Sequence, residues 1–273
     1  MLRYLFLTFT TLGFLVIPCT GQQRQSNSAS LVGTYYIGHN FGGSTLVLNA
    51  DGSYEKTSHD CTTEYFQSGS YVLSAKGLRF QIRKYTASGN GSNVEMNLLD
   101  LDQLKEVFGK DSKAIETEFD LVPVRWSDRS YLIDVQDLGN FANAINLGLE
   151  PRARLSAEPY YGSFYLRSGD ERKKVSGYPE LPQDWLLILL KKPVTGTVVA
   201  VRGEADATLI TIDKGRKNGL RAGMRLLAQN EEPSLWGGAQ IVSVTNSSAI
   251  VRTGRGITLG DKLTTKYISR FYR

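Results

Sequence analysis

The chain has 273 residues, a formal net charge of +5 and a hydrophobic fraction of 41%. That is enough apolar material for real cores and too much length for one small domain, so two or three modules are expected. The 32 Lys and Arg are interspersed with 27 Asp and Glu. This excludes the concentrated basic footprint of a nucleic-acid binder, and 2 His leave little material for a metal centre.

Arg3 forms a short basic n-region, and an apolar stretch runs from Tyr4 to Ile17. Pro18 ends it, and Cys19-Thr20-Gly21 offers the small residues a signal peptidase needs. Residues 1–21 therefore read as a secretory signal, too short and too poorly flanked to anchor a membrane. Export to a bacterial periplasm or medium is the expected address. Val16-Ile17-Pro18-Cys19 partly resembles a lipobox, although Pro18 stands where a small residue belongs. A lipid anchor on Cys19 is the alternative to cleavage after Gly21. With cleavage, Cys61 is the one remaining thiol and no internal disulfide can form. The most apolar later run, Trp185 to Leu190, is far too short to span a bilayer.

Residues 22–30 are polar, without apolar periodicity, and read as a flexible leader. Residues 31–95 read as an antiparallel β module. Gly33-Thr34-Tyr35-Tyr36 opens a strand, and Thr45 to Asn49 leads through Asp51-Gly52 into Tyr54 to Thr57. A second hairpin joins Gly69–Leu73 to Leu78–Ile82 through Lys76-Gly77, with Leu78, Phe80 and Ile82 facing inward. The rhythm of strand, Asp-Gly, strand and Gly-x-Tyr strand resembles the lipocalin-like β modules of secreted bacterial proteins. That resemblance implies a small ligand carried at the barrel mouth, with Tyr35, His39 and Phe41 as the candidate contacts.

Residues 96–192 read as a mixed α+β middle segment. Leu98 to Phe108 carries apolar residues near helical spacing, and Leu121–Trp126 and Tyr131–Ile133 form two strands about a polar turn. Asp137 to Leu147 reads as a helix with a buried stripe of Leu138, Phe141, Ala142, Ile145 and Leu147, stopped by Gly148. Phe164–Leu166 is a further strand. The charged stretch Arg167 to Lys174 reads as a solvated turn, and Pro179–Pro182 as a stiff connection into Trp185. Trp126 is expected in the core.

Residues 193–268 read as a closed barrel of five or six strands, followed by a tail at 269–273. Strands are expected at Gly196–Val201, Ala207–Asp213, Arg225–Ala228, Gly238–Val244 and Ala249–Thr253, with Gly260-Asp261 turning into the last. Thr211-Ile212-Asp213-x-Gly215, Gly219-Leu220-x-x-Gly223-Met224 and Gly260-Asp261 punctuate it with glycines suited to tight turns. This pattern resembles the SH3-like or OB-like barrel modules of exported bacterial envelope proteins of the rod-shape-determining and flagellar-assembly type. The resemblance implies an assembly surface without catalysis or a cofactor.

Few residue groupings in the chain could carry catalysis. His59-Asp60-Cys61 brings a base, an acid and a thiol together, but neighbours in a strand face opposite ways, so it is no preformed triad. Cys61 is expected to be buried and inert. The carboxylates Asp100, Asp102, Glu116, Glu118 and Asp120 read as solvated faces. Gly215–Gly223 lacks the Gly-Lys-Ser/Thr ending of a phosphate loop. Trp236, in Ser234–Gly238, reads as a loop aromatic suited to a partner contact, with Arg216 and Lys217 beside it.

The sequence therefore predicts a mainly β protein of two small antiparallel barrel-like modules joined by an α+β segment. It predicts a non-enzymatic role through protein or cell-envelope contacts, with no catalytic residue, metal or cofactor. The alternative is a small-ligand carrier using the N-terminal module.

Overall fold

The computed structural model describes residues 30–39, 42–59, 61–89, 92–97, 118–148, 164–203, 208–228, 239–254 and 256–266. The signal region, the expected helix at 98–108 and Trp236 lie outside the described residues. The fold is mainly β, with two closed antiparallel barrels of 8 and 6 strands and a short helix between them.

The first barrel comprises β1 (Gly33–His39), β2 (Gly42–Leu48), β3 (Ser53–His59), β4 (Thr63–Ser74), β5 (Gly77–Gly89), β7 (Glu118–Trp126), β8 (Arg129–Asp134) and β9 (Phe164–Arg167), with β6 (Ser92–Asn97) lying on β5. Strand order is β4-β3-β2-β1-β9-β8-β7-β5, and the β4–β5 ladder closes the ring. Both expected hairpins are present. Asp51 Oδ1 accepts the Ser53 N–H at 2.9 Å, and Gly52 takes φ +82°, which a side chain would resist.

The boundary expected near residue 95 falls inside this barrel. The strands assigned to a separate middle segment complete the ring, through Leu78↔Leu121 on one side and Tyr36↔Leu166 on the other. Strand β5 pairs with β7 over Leu78–Gln81 and with β6 over Lys84–Gly89, and it changes partner beside the register shift at Ser68/Gly69. A Cβ at Gly69 would run into the Gln81 carbonyl oxygen, so the close approach at this bulge requires glycine.

The inward faces of these strands bury Tyr35, Leu46, Leu48, Tyr54, Tyr71, Leu78, Phe80, Leu121, Leu132 and Tyr165. The outward faces of β7, β8 and β9 are also apolar, because helix α1 (Leu138–Asn146) lies against them. Phe141 meets Trp126, Tyr131 and Phe164 edge-on, at ring separations of 6.3, 5.1 and 5.2 Å. Gly148, at φ +79°, ends the helix as its sequence indicates.

The expected solvated turn near Arg167–Lys174 is corrected in part. Asp170 and Arg129 are both buried there. Asp170 accepts the Ser130 N–H at 2.8 Å and pairs with Lys173 Nζ at 2.5 Å. Arg129 donates to the carbonyls of Lys173 and Glu171, at 2.7 and 3.2 Å. The loop is thus clamped onto β8 by hydrogen bonds between the charged groups Arg129 and Asp170 and backbone partners, and such bonding is what allows a charge to be buried.

From α1 the chain continues through the short helix α2 (Gln183–Leu186), capped by Pro182. It enters the second barrel, β10 (Thr195–Gly203), β11 (Thr208–Ile212), β12 (Arg225–Ala228), β13 (Ala239–Val244), β14 (Ala249–Thr253) and β15 (Lys262–Thr264), ordered β10-β11-β14-β13-β12-β15. All six strands fall where the glycine-punctuated pattern places them. A single apolar cluster runs from the outer wall of the first barrel through α1 into the second.

Candidate functional site

A concave surface lies where the connection Leu187–Thr195 passes the loop Lys214–Arg221. It is a groove of about 700 Å³. The loop shape follows from its glycines. Gly215 passes so close to the 245–248 turn that a Cβ would sit 2.5 Å from Ser248 N, and its own N–H donates to Asn218 Oδ1 at 3.1 Å. Gly219, at φ +91°, closes the one-turn 3-10 helix Arg216–Asn218. The connection is held by α1, where Asn146 Nδ2 donates to Ile188 O at 2.7 Å and Asn146 Oδ1 accepts the Leu190 N–H at 2.8 Å.

The groove has an apolar lining of Leu187, Leu189, Leu190, Pro193 and Val194, and Leu187 is 57% exposed. Its four ionisable lining residues, Lys191, Lys192, Lys214 and Arg221, are all cations. Lys214 Nζ lies 3.5 Å from Asp213 Oδ2, outside the lining. The Thr197 N–H donates to Asp213 and, with Lys214, holds that carboxyl below the usual range. Arg221 Nη1 donates to the Leu220 carbonyl at 3.1 Å. The rim therefore carries an excess of positive charge above an apolar floor.

Arg216 and Lys217 are exposed on the 3-10 turn beside this groove, and their backbone N–H groups donate to Thr245 O and Asn246 O at 2.8 and 3.1 Å. The third member of that set, Trp236, lies outside the described residues. Of the residues that line the groove, Asn218, Gly219 and Arg221 belong to the loop Gly215–Gly223 that the sequence offers as a contact surface, and the wall Leu187–Thr195 does not. The signal for that wall is the adjacency of Lys191-Lys192-Pro193 to the apolar run Trp185–Leu190.

Of the candidate mouth residues of the first barrel, Tyr35 and His39 lie four residues apart along β1. His39 ends β1 opposite Gly42, and Phe41 lies outside the described residues. Tyr35 sits four residues below, fully buried, with its hydroxyl donated to Leu31 O at 3.0 Å. Burial pushes its phenol up to about 12. Tyr71 donates to Asn49 O at 2.6 Å near the same end. These bonds close that end of the barrel with aromatic rings whose hydroxyls are satisfied.

The other end is polar. Ser58 Oγ donates to Ser44 Oγ at 2.9 Å, and Ser44 and Tyr165 share a hydrogen bond at 2.9 Å. Beyond Tyr36 the described part of β1 pairs with β2 alone, and beyond Lys84 β5 pairs with β6 instead of β7. Among the described residues no ladder joins β1 to β6 at this end.

The expected burial of Cys61 is overturned, since Cys61 is exposed in the turn between β3 and β4. His59 beside it is exposed as well. A turn at a hairpin tip has no second layer to cover it. Among the described residues no three His, Cys, Asp or Glu gather into a metal-binding group, and no helix is long and apolar enough to cross a membrane. In comparisons with known proteins the chain matches no family, no curated protein and no solved structure.

Proposed function

We propose that this chain is an exported, non-catalytic binding protein that holds an acidic, extended segment of a partner protein in the groove beside its second barrel. The observation that carries the reading is the sign of the charge, four cations and no anion around an apolar floor. Opposite charge steers encounter and sets specificity, while the apolar floor supplies contact area. Concavity favours an extended chain over a flat bilayer, which meets only the rim. The resemblance of residues 193–268 to assembly modules, and the signal-like N-terminus, agree with a partner in the cell envelope.

The test is fluorescence anisotropy with labelled peptides of about ten residues, alternating Glu with Leu or Lys with Leu. The acidic peptide is expected to saturate the protein, and Lys191→Glu/Lys192→Glu is expected to weaken it roughly tenfold or more. Equal binding of the basic peptide, or undiminished binding by the double variant, overturns the reading. Preferential binding to anionic lipid vesicles, with none to the acidic peptide, replaces the protein partner with a membrane.

A further inference from the structure

We propose that the interior of the first barrel, at its polar end, binds a small molecule carrying a carboxylate or phosphate head on an apolar body. This site stands apart from the groove and does not rest on it. The ladder registers bring its residues together. Lys56 lies opposite Leu46 on β2 and Gln67 on β4, and Gln67 lies opposite Tyr85 on β5. Tyr54, two residues before Lys56, shares its face and sits diagonally from Gln67. Tyr54 belongs to the barrel interior, so the whole set faces inward.

Three observations show a site built for a guest. First, Tyr54 is 1% exposed, and its hydroxyl has no hydrogen-bond partner. The buried Oε1 of Gln67 has none either. Buried polar groups are normally satisfied, and each exception calls for an explanation. Second, the half-buried Lys56 ammonium lies over the Phe119 ring, 5.2 Å from its centre, and makes no ion pair with any described residue. Third, the hydroxyls of Ser58, Ser44 and Tyr165 form two hydrogen bonds from three protons, so one O–H remains to donate elsewhere.

Unused donors and one cation thus face the same interior, beside one unpaired acceptor, Gln67 Oε1, which only a donor such as a protonated phosphate oxygen would satisfy. An oxyanion would accept from Lys56 Nζ and the Tyr54 hydroxyl, which compensates a half-buried charge and an orphaned phenol together. The walls decide the rest of the ligand. Phe119 stacks on Phe80 at 4.4 Å, and Tyr54 meets Phe119 edge-on at 5.9 Å. Tyr65 and Tyr85 lie against each other at 6.3 Å farther along the same ladder. These rings suit a flat apolar body behind the charged head.

The experiment is calorimetric titration of the full chain with benzoate, phenyl phosphate and, as the neutral control, benzyl alcohol. At least one anion is expected to saturate one site, with benzyl alcohol roughly tenfold weaker or more. The tighter anion identifies the head group as carboxylate or phosphate. Lys56→Met is expected to lower affinity roughly tenfold. Tyr54→Phe is expected to weaken binding several-fold while raising Tm, because it removes an unsatisfied buried hydroxyl. A residue serving only to pack the barrel would not couple those two effects in opposite directions. Lys191→Glu/Lys192→Glu is expected to leave this binding unchanged, which separates the site from the groove.

If Lys56→Met does not fold, Tyr54→Phe carries the test alone. Failure of both anions to saturate, equal binding of benzyl alcohol, or wild-type affinity in Tyr54→Phe overturns the proposal and leaves ordered water as the only occupant.

Discussion

Asn143 on α1 accepts the backbone N–H of Arg225 on its Oδ1, at 2.9 Å, and so ties the helix to the first residue of β12. Its Nδ2 donates to Gly223 O at 3.2 Å and to Gly139 O at 2.9 Å. One buried amide thus satisfies three backbone groups, two of them in the second barrel. Three residues on, Asn146 does the same for the connection at Ile188 and Leu190. The helix is therefore a fastener, apolar toward the first barrel and hydrogen-bonded toward the second.

Asn143→Ala is expected to destabilise the protein by about 1–3 kcal/mol, since it removes the hydrogen bonds to Gly223 O and the Arg225 N–H at the junction of helix and barrel. Thermal melting should show a drop of about 2–4 °C for each kcal/mol. Asn146→Ala should instead loosen the groove, and hydrogen exchange at Leu190 should rise with a smaller change in Tm.

Gly69→Ala is expected to cost roughly 2 kcal/mol or more, because a methyl group there meets the Gln81 carbonyl and not a yielding side chain. Urea titration of the variant should show a lowered midpoint. An unchanged midpoint would mean that the β4–β5 ladder shifts register without penalty.

Alkaline pH should unfold the first barrel. Tyr35 in the folded chain ionises at about 12, whereas an unfolded tyrosine does so near pH 10. The folded state holds the proton longer, so this stabilisation is complete below about pH 10 and is lost as pH rises through the folded value. Burial raises Tyr54 in the same direction. Urea midpoints measured from pH 9 upward should fall, and Tyr35→Phe should flatten the slope. At neutral pH the same variant should lose about 1 kcal/mol with the bond to Leu31.

Binding in the groove should depend steeply on salt. Raising ionic strength from about 0.05 to 0.5 M shortens the screening length several-fold. The anisotropy titration should then show at least about a tenfold loss of affinity for the acidic peptide. A salt-independent affinity would assign the binding to the apolar floor alone.

Much of the local structure is visible in the chain. Asp51-Gly52 and Lys76-Gly77 mark turns because few other residue pairs adopt them, and alternation assigns Leu78, Phe80 and Ile82 to the inside. The stripe on α1 and its stop at Gly148 follow from helical period. The six strands of the second barrel are legible because glycine-marked turns bound short alternating runs, while its pairing of Thr195 with Thr264 is not. The first barrel is less legible still, because the strands that complete it lie beyond long intervening segments and join Leu78 to Leu121 and Tyr36 to Leu166. Period shows which face of a strand is buried and leaves its neighbour open.

The same division applies to the sites. A basic pair beside an apolar run, Lys191-Lys192 after Trp185–Leu190, is present in the letters, but its opposite wall at Lys214 and Arg221 comes from another part of the chain. Tyr35 and Tyr54 look alike as aromatic strand residues. Only packing gives Tyr35 a carbonyl partner and withholds one from Tyr54. Residue order alone thus determines the mainly β character, the hairpins, the helix and the individual strands of the second barrel, since each is read from neighbours within a few residues. The closure of the first barrel, the fastening by Asn143, the groove and the orphaned Tyr54 hydroxyl arise only when distant segments meet, because a contact partner is a property of three-dimensional packing and leaves no periodic trace along the chain.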